Sequence, residues 1–139
     1  MAVIYSDSKE VEEVGIKVLS EFAYPEEPNV KFLLTTAERS QWLGKCTRVS
    51  PKMKYLTGFD YVIEVWNVFW DSADEKAKNA LMYHELNHID CYEKRDGTLV
   101  WGMKKHDVEE FIEVAKRFGA WDAALKSLIN NVKETGNVS

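Results

Sequence analysis

Residues 83–89 read YHELNHI, with His84 and His88 four positions apart and Glu85 between them. Side chains at i and i+4 lie one turn apart on a single helical face, so two imidazoles there can reach one ion without bending the backbone. Zinc accepts such neutral nitrogens readily. Glu85 lies about 100° round the axis from His84. That is too far round to complete a tetrahedron and well placed to meet a water at the ion. The chemistry suited to this spacing is metal-assisted hydrolysis with Glu85 as general base. The competing reading is a pair of hydrogen-bonded core histidines.

A catalytic zinc takes a third protein ligand and keeps a position open for water. The extended pattern HExxHxxGxxH would need Gly at 91 and His at 94, where this chain has Cys91 and Lys94, so that pattern is excluded. His106, the third and last histidine, precedes a segment carrying Glu109 and Glu110. His106 is the preferred ligand because it brings every histidine into one site; Glu109 or Glu110 remains the alternative, giving two histidines and one glutamate. Asp107, Glu109 and Glu110 are also candidates to orient the imidazoles, or simply an acidic first helical turn. Tyr92, Lys104 and Lys105 are candidates for a second electrophile, with ordinary surface residues as the alternative reading.

The elements that must position these groups are partly legible. Ser6 or Asp7 caps a helix running to about Ala23 along an apolar stripe that includes Val11, Val18 and Phe22, and YPEEPN stops it. VKFLLTT (30–36) reads as a strand, CTRVS as a weaker one, and YVIEVWNVFW (61–70) as the strongest. Apolar residues on both faces of that last strand predict cover on both sides. Its backbone is also a candidate sheet edge for an extended substrate. Asp71 or Ser72 caps a long helix through residue 94 whose stripe holds Ala77, Leu81, His84, His88 and Cys91. RDGT forms a turn, LVWGMKK a strand or loop, residues 106–134 one or two closing helices, and the last residues, about 134–139, a frayed tail. Trp42, Trp101 and Trp121 are read as packing residues.

At 139 residues and 45% hydrophobic, the chain fits one domain with its own core. A net charge of -5 disfavours nucleic acid as a partner. With no apolar run of membrane-spanning length, the expectation is a soluble, cytoplasmic protein without a membrane partner. Cys46 and Cys91 are too few for a disulfide framework and read as free thiols.

ALMYHELNHI followed by KKHDVEEF resembles the phage metallopeptidase family, over roughly residues 60–115. The resemblance implies a zincin-like α+β domain: a small mixed sheet packed against an N-terminal helix and the HExxH helix, with closing helices after them. It implies zinc as cofactor, His84, His88 and His106 as ligands, Glu85 as catalytic acid/base, and a peptide or protein as substrate. A non-proteolytic zinc protein and another zinc hydrolase are the rival functions.

Overall fold

The computed structural model describes residues 2–104. In chain order the elements are β1 (Ile4–Ser6), α1 (Lys9–Leu19), β2 (Val30–Thr36), β3 (Gly44–Arg48), α2 (Pro51–Thr57), β4 (Tyr61–Trp66), α3 (Asn67–Ser72), α4 (Glu75–Leu86), β5 (Ile89–Glu93) and β6 (Leu99–Met103). Four strands form a mixed sheet in the order β1-β2-β4-β3, while β5 and β6 pair as a separate ribbon. Only β2 and β4 run parallel. This is the expected α+β arrangement of a small mixed sheet against an N-terminal helix and the helix carrying the motif. The expected closing helices and tail lie outside the described residues.

Alternation decides which way each strand faces. Tyr61, Ile63 and Val65 of β4 are fully buried and face the helices, and Phe32 of β2 joins them in one core with Val11, Val18, Leu81, Met82 and Leu86. α1 is capped by Ser8, whose Oγ accepts the Val11 amide at 3.3 Å. The helix ends at Leu19, short of the expected Ala23. Tight turns from the Glu21 and Phe22 amides to the Val18 and Leu19 carbonyls redirect the chain, and Phe22 then packs on Tyr83 with ring centroids 5.0 Å apart. Lys78 of α4 pairs with Glu10 of α1, lashing the two helices together on their outer side. The Lys78 hydrogen bond holds the Glu10 carboxyl below its ordinary range.

Three further expectations need correction. The strand expected over 61–70 stops at Trp66, because Asn67–Ser72 coils into α3 and turns Phe69 and Trp70 into the core; burial of two aromatic rings outweighs local β-propensity. β4 lies between β2 and β3, so it is not a sheet edge. The long helix expected to residue 94 is shorter at both ends: Asp74 caps it by accepting the Ala77 amide at 2.8 Å, and it closes at Leu86. After it, Ile89–Glu93 are extended and paired with Leu99–Met103. β1 and α2 were not foreseen; the first has three residues and the second buries none.

Gly15 of α1 makes the helix-to-sheet approach possible, since a Cβ there would lie 2.4 Å from the Phe32 ring. Gly15→Ala is therefore expected to cost about 1–3 kcal/mol through overpacking, read as a lower urea midpoint. An unchanged midpoint would mean that the ring moves aside freely.

Candidate metal centre

The last turn of α4 delivers the motif. His84 and Glu85 belong to the helix, which closes with Asn87 as its C-cap. His88 lies just beyond, its amide turned onto the Glu85 carbonyl at 3.1 Å. The expected single helical face is thus replaced by a helix end followed by a strand start. The two imidazoles still meet, with ring centroids 5.5 Å apart and planes nearly perpendicular at 88°.

All three side chains are buried: His84 is 5%, Glu85 0% and His88 4% exposed. Glu85 Oε1 lies 4.0 Å from His84 Nε2 and 3.9 Å from His88 Nε2. One ligand atom from each of the three lies within 4.8 Å of the others. Two imidazole nitrogens and a carboxylate oxygen so close together are a donor set that suits a divalent ion of borderline softness.

What turns His88 toward this point is the ribbon of β5 and β6. Its ladder continues past Ile89 and Met103, so that the Lys104 amide donates to the His88 carbonyl at 2.7 Å. In return His88 Nδ1 contacts the Lys104 carbonyl oxygen at 2.7 Å. A carbonyl only accepts, so Nδ1 carries the proton and Nε2 keeps its lone pair directed at the cluster. The ribbon is itself tied to the sheet: the Tyr61 hydroxyl donates to the Gly102 carbonyl at 2.7 Å. Trp101 stands between Tyr24 and Tyr61, with centroids 6.4 and 6.1 Å away. The Tyr24 hydroxyl donates to the Leu86 carbonyl at 3.2 Å, fixing the end of α4.

Gly44 closes the site from the sheet. A Cβ there would sit 3.2 Å from Glu85 Cγ and 3.2 Å from Leu81 Cδ1, so strand and helix meet closely enough that a side chain would make both neighbours give by a few tenths of an ångström. The sequence reading passed over Gly44; an isolated glycine next to a strand-like CTRVS was the available signal of close backbone approach. Next along the strand, the Cys46 thiol is pushed far up by burial, with the Glu85 carboxylate adding to the effect. It is a packing residue rather than a nucleophile.

The backbone of β3 has a definite orientation. The Trp66 amide donates to the Leu43 carbonyl and the Val49 amide to the Asp60 carbonyl. In an antiparallel ladder such bonded pairs alternate, so with Lys45 opposite Glu64 and Thr47 opposite Val62 these odd residues bond to β4. The amides and carbonyls of Gly44, Cys46 and Arg48 point the other way, to an outer edge that carries no strand among the described residues.

Of the other candidates, Tyr92 is exposed in β5 and Lys104 serves the site through its backbone. Lys105, His106, Asp107, Glu109 and Glu110 lie outside the described residues, so the third ligand rests on the sequence. Trp42 lines a separate groove on the far face of the sheet. No described helix is long and apolar enough to cross a membrane.

A family model described as "Putative phage metallopeptidase" matches residues 3–133. No curated protein and no solved structure matches the chain significantly.

If the cluster holds a divalent ion, zinc added to chelator-stripped protein should raise the melting temperature. At an ion concentration about 100 times Kd the stabilisation is roughly 2.7 kcal/mol. His84→Ala and His88→Ala should each remove most of that shift in a thermal melt. A shift retained in both variants would place the ion elsewhere.

Proposed function

This chain belongs to the phage metallopeptidase family, and from that premise we propose that it is a zinc-dependent peptidase with Glu85 as general base. The observation that carries the reading is the buried convergence of His84, Glu85 and His88 within 4.8 Å, together with the commitment of His88 Nδ1 to a carbonyl. His84 Nε2 and His88 Nε2 would hold the metal, with His106 as third ligand. When bound, zinc supplies a lowered pKa for water and positive charge for the developing oxyanion.

The chain's own groups do the rest. Glu85 accepts a proton at a carboxylate oxygen as water attacks the peptide carbonyl, then returns it to the departing amine. Its setting at the meeting of α4 and β3 excludes bulk water and holds the carboxylate in one place. The outward amides and carbonyls of Gly44, Cys46 and Arg48 offer an extended peptide a ladder that leads to Glu85. Backbone pairing of this kind binds a substrate without demanding a particular side chain at every position. The role first assigned to the 61–70 strand thus passes to β3. The substrate class is peptide or protein; the acidic charge of the chain disfavours nucleic acid.

Glu85→Gln keeps the side chain's shape and removes the proton acceptor. The expectation is retained metal content with turnover reduced by at least about 100-fold, in line with the loss of a general base; full turnover on a peptide library would make Glu85 structural. Gly44→Val, which drives a side chain against Glu85 Cγ, should lower kcat while the metal remains, as followed by elemental analysis beside the assay. For the third ligand, cobalt in place of zinc gives a visible spectrum sensitive to geometry and ligand type. His106→Ala should change it, and Glu109→Gln and Glu110→Gln should leave it near native. The reverse pattern would assign the glutamate instead.

A further inference from the structure

Where β3 ends, at Arg48, a cleft of about 270 Å³ opens between the sheet and the ribbon, with Arg48, Pro51, Lys54, Asp60, Leu99 and Trp101 among its lining. Its charges are not equivalent. Lys54 Nζ is held by Asp60 Oδ1 at 2.6 Å, and Asp60 Oδ2 also accepts the Asn29 amide at 2.8 Å. Both members of that pair are committed to each other. Arg48 has no ion-pair partner among the described residues. The cleft therefore carries one uncommitted guanidinium, whose planar fork of donors matches a carboxylate, beside the apolar walls of Leu99 and Trp101.

Its position relative to the metal centre is set by the ladder. Gly44 abuts Glu85, and Arg48 lies four residues farther along the same strand, about 13 Å away at strand rise. Arg48 is opposite Tyr61, and Gly44 is opposite Val65. Tyr61 and Val65 both face the helix side, so Gly44, Cys46 and Arg48 share that side. A peptide paired to this edge would project the residue opposite Arg48 onto the same side, toward the cleft. Antiparallel docking, the more stable ladder, puts that residue four positions N-terminal to the one facing Gly44.

We propose that this cleft is a specificity subsite of the peptidase, selecting an aspartate or glutamate side chain about four residues on the N-terminal side of the position at Glu85. The inference rests on the peptidase reading and names its substrate class: extended peptides with an upstream acid. Asp60 is offset by Lys54, which leaves Arg48 to discriminate.

The test uses the zinc-loaded full chain with a random decapeptide library, mass spectrometry locating each cut. Wild type is expected to enrich Asp and Glu upstream of the cut. For a Glu peptide and its Gln twin drawn from the library, the ratio of kcat/KM should be at least about 10, a difference in the range of a charge-assisted pair. In Arg48→Gln the ratio should fall toward 1, and Arg48→Glu should shift the enrichment to Lys and Arg. Arg48 is exposed, so these variants should fold, as a circular dichroism melt will show. Cleavage with no upstream acid preference, or with one that survives Arg48→Gln, overturns the subsite and leaves the peptidase standing. A second arm measures binding of the same labelled twins to zinc-loaded Glu85→Gln by fluorescence anisotropy. If nothing is cleaved but the Glu peptide binds at least about 10-fold tighter in an Arg48-dependent way, the peptidase reading fails and the cleft is upheld. Equal binding of the twins overturns the cleft.

Discussion

The hydrogen bond between His88 Nδ1 and the Lys104 carbonyl is the constraint on which the site depends. α4 ends at Leu86, so helical geometry alone does not hold the second histidine in register with the first. The imidazole instead stands at the first rung of an antiparallel ribbon, where its backbone and its ring both bond to the same residue. That arrangement selects one tautomer and one ring orientation together. The backbone groups of Lys104 do this whatever its side chain is, which leaves the side chain free for other work.

Everything that steadies the ribbon consequently bears on His88. Tyr61, wholly buried in the middle of the sheet, reaches across to the Gly102 carbonyl, and Trp101 fills the space between Tyr61 and Tyr24. Tyr24 in turn ties down the carbonyl at the end of α4. The two histidines, one in the last turn of α4 and the other in the turn before β5, are therefore held together through three aromatic side chains. Aromatics with a polar tip combine large apolar area with one directional bond, and here the two tyrosine hydroxyls donate to backbone carbonyls, Tyr24 to Leu86 and Tyr61 to Gly102.

The cluster was more legible than its scaffold. HELNH pointed to the three residues that converge, His84, Glu85 and His88, because spacing and side-chain type are local, and YVIEVW pointed to a buried strand because its apolar residues fall on both faces. The helix boundary at Leu86 was missed: His88 and Ile89 fit a helical stripe as well as they fit a strand, and only the pairing with Met103 and Lys104 decides between them. Val68, Phe69 and Trp70 read as strand for the same reason, until the core claims two of their rings. Strand order is a tertiary property, so no pattern within 61–70 could say whether it lies at an edge. Gly44 left a local trace, and its meaning required Glu85 to be placed opposite.

The two outer strands of the sheet differ in a way that bears on function. An unprotected edge invites pairing with other copies of the chain, and folds blunt such edges by shortness or by charge. β1 relies on shortness, with three residues, two of them the exposed apolar Ile4 and Tyr5. β3 is longer, at five residues, and carries Lys45 and Arg48. Lys45 and Arg48 put positive charge on this edge, and charge of one sign on both partners disfavours pairing with a second copy of the chain. They do not disfavour a strand that carries an acid opposite Arg48. A device that suppresses self-association thus also filters what the edge accepts, and the filter lies on the strand whose first residue touches Glu85.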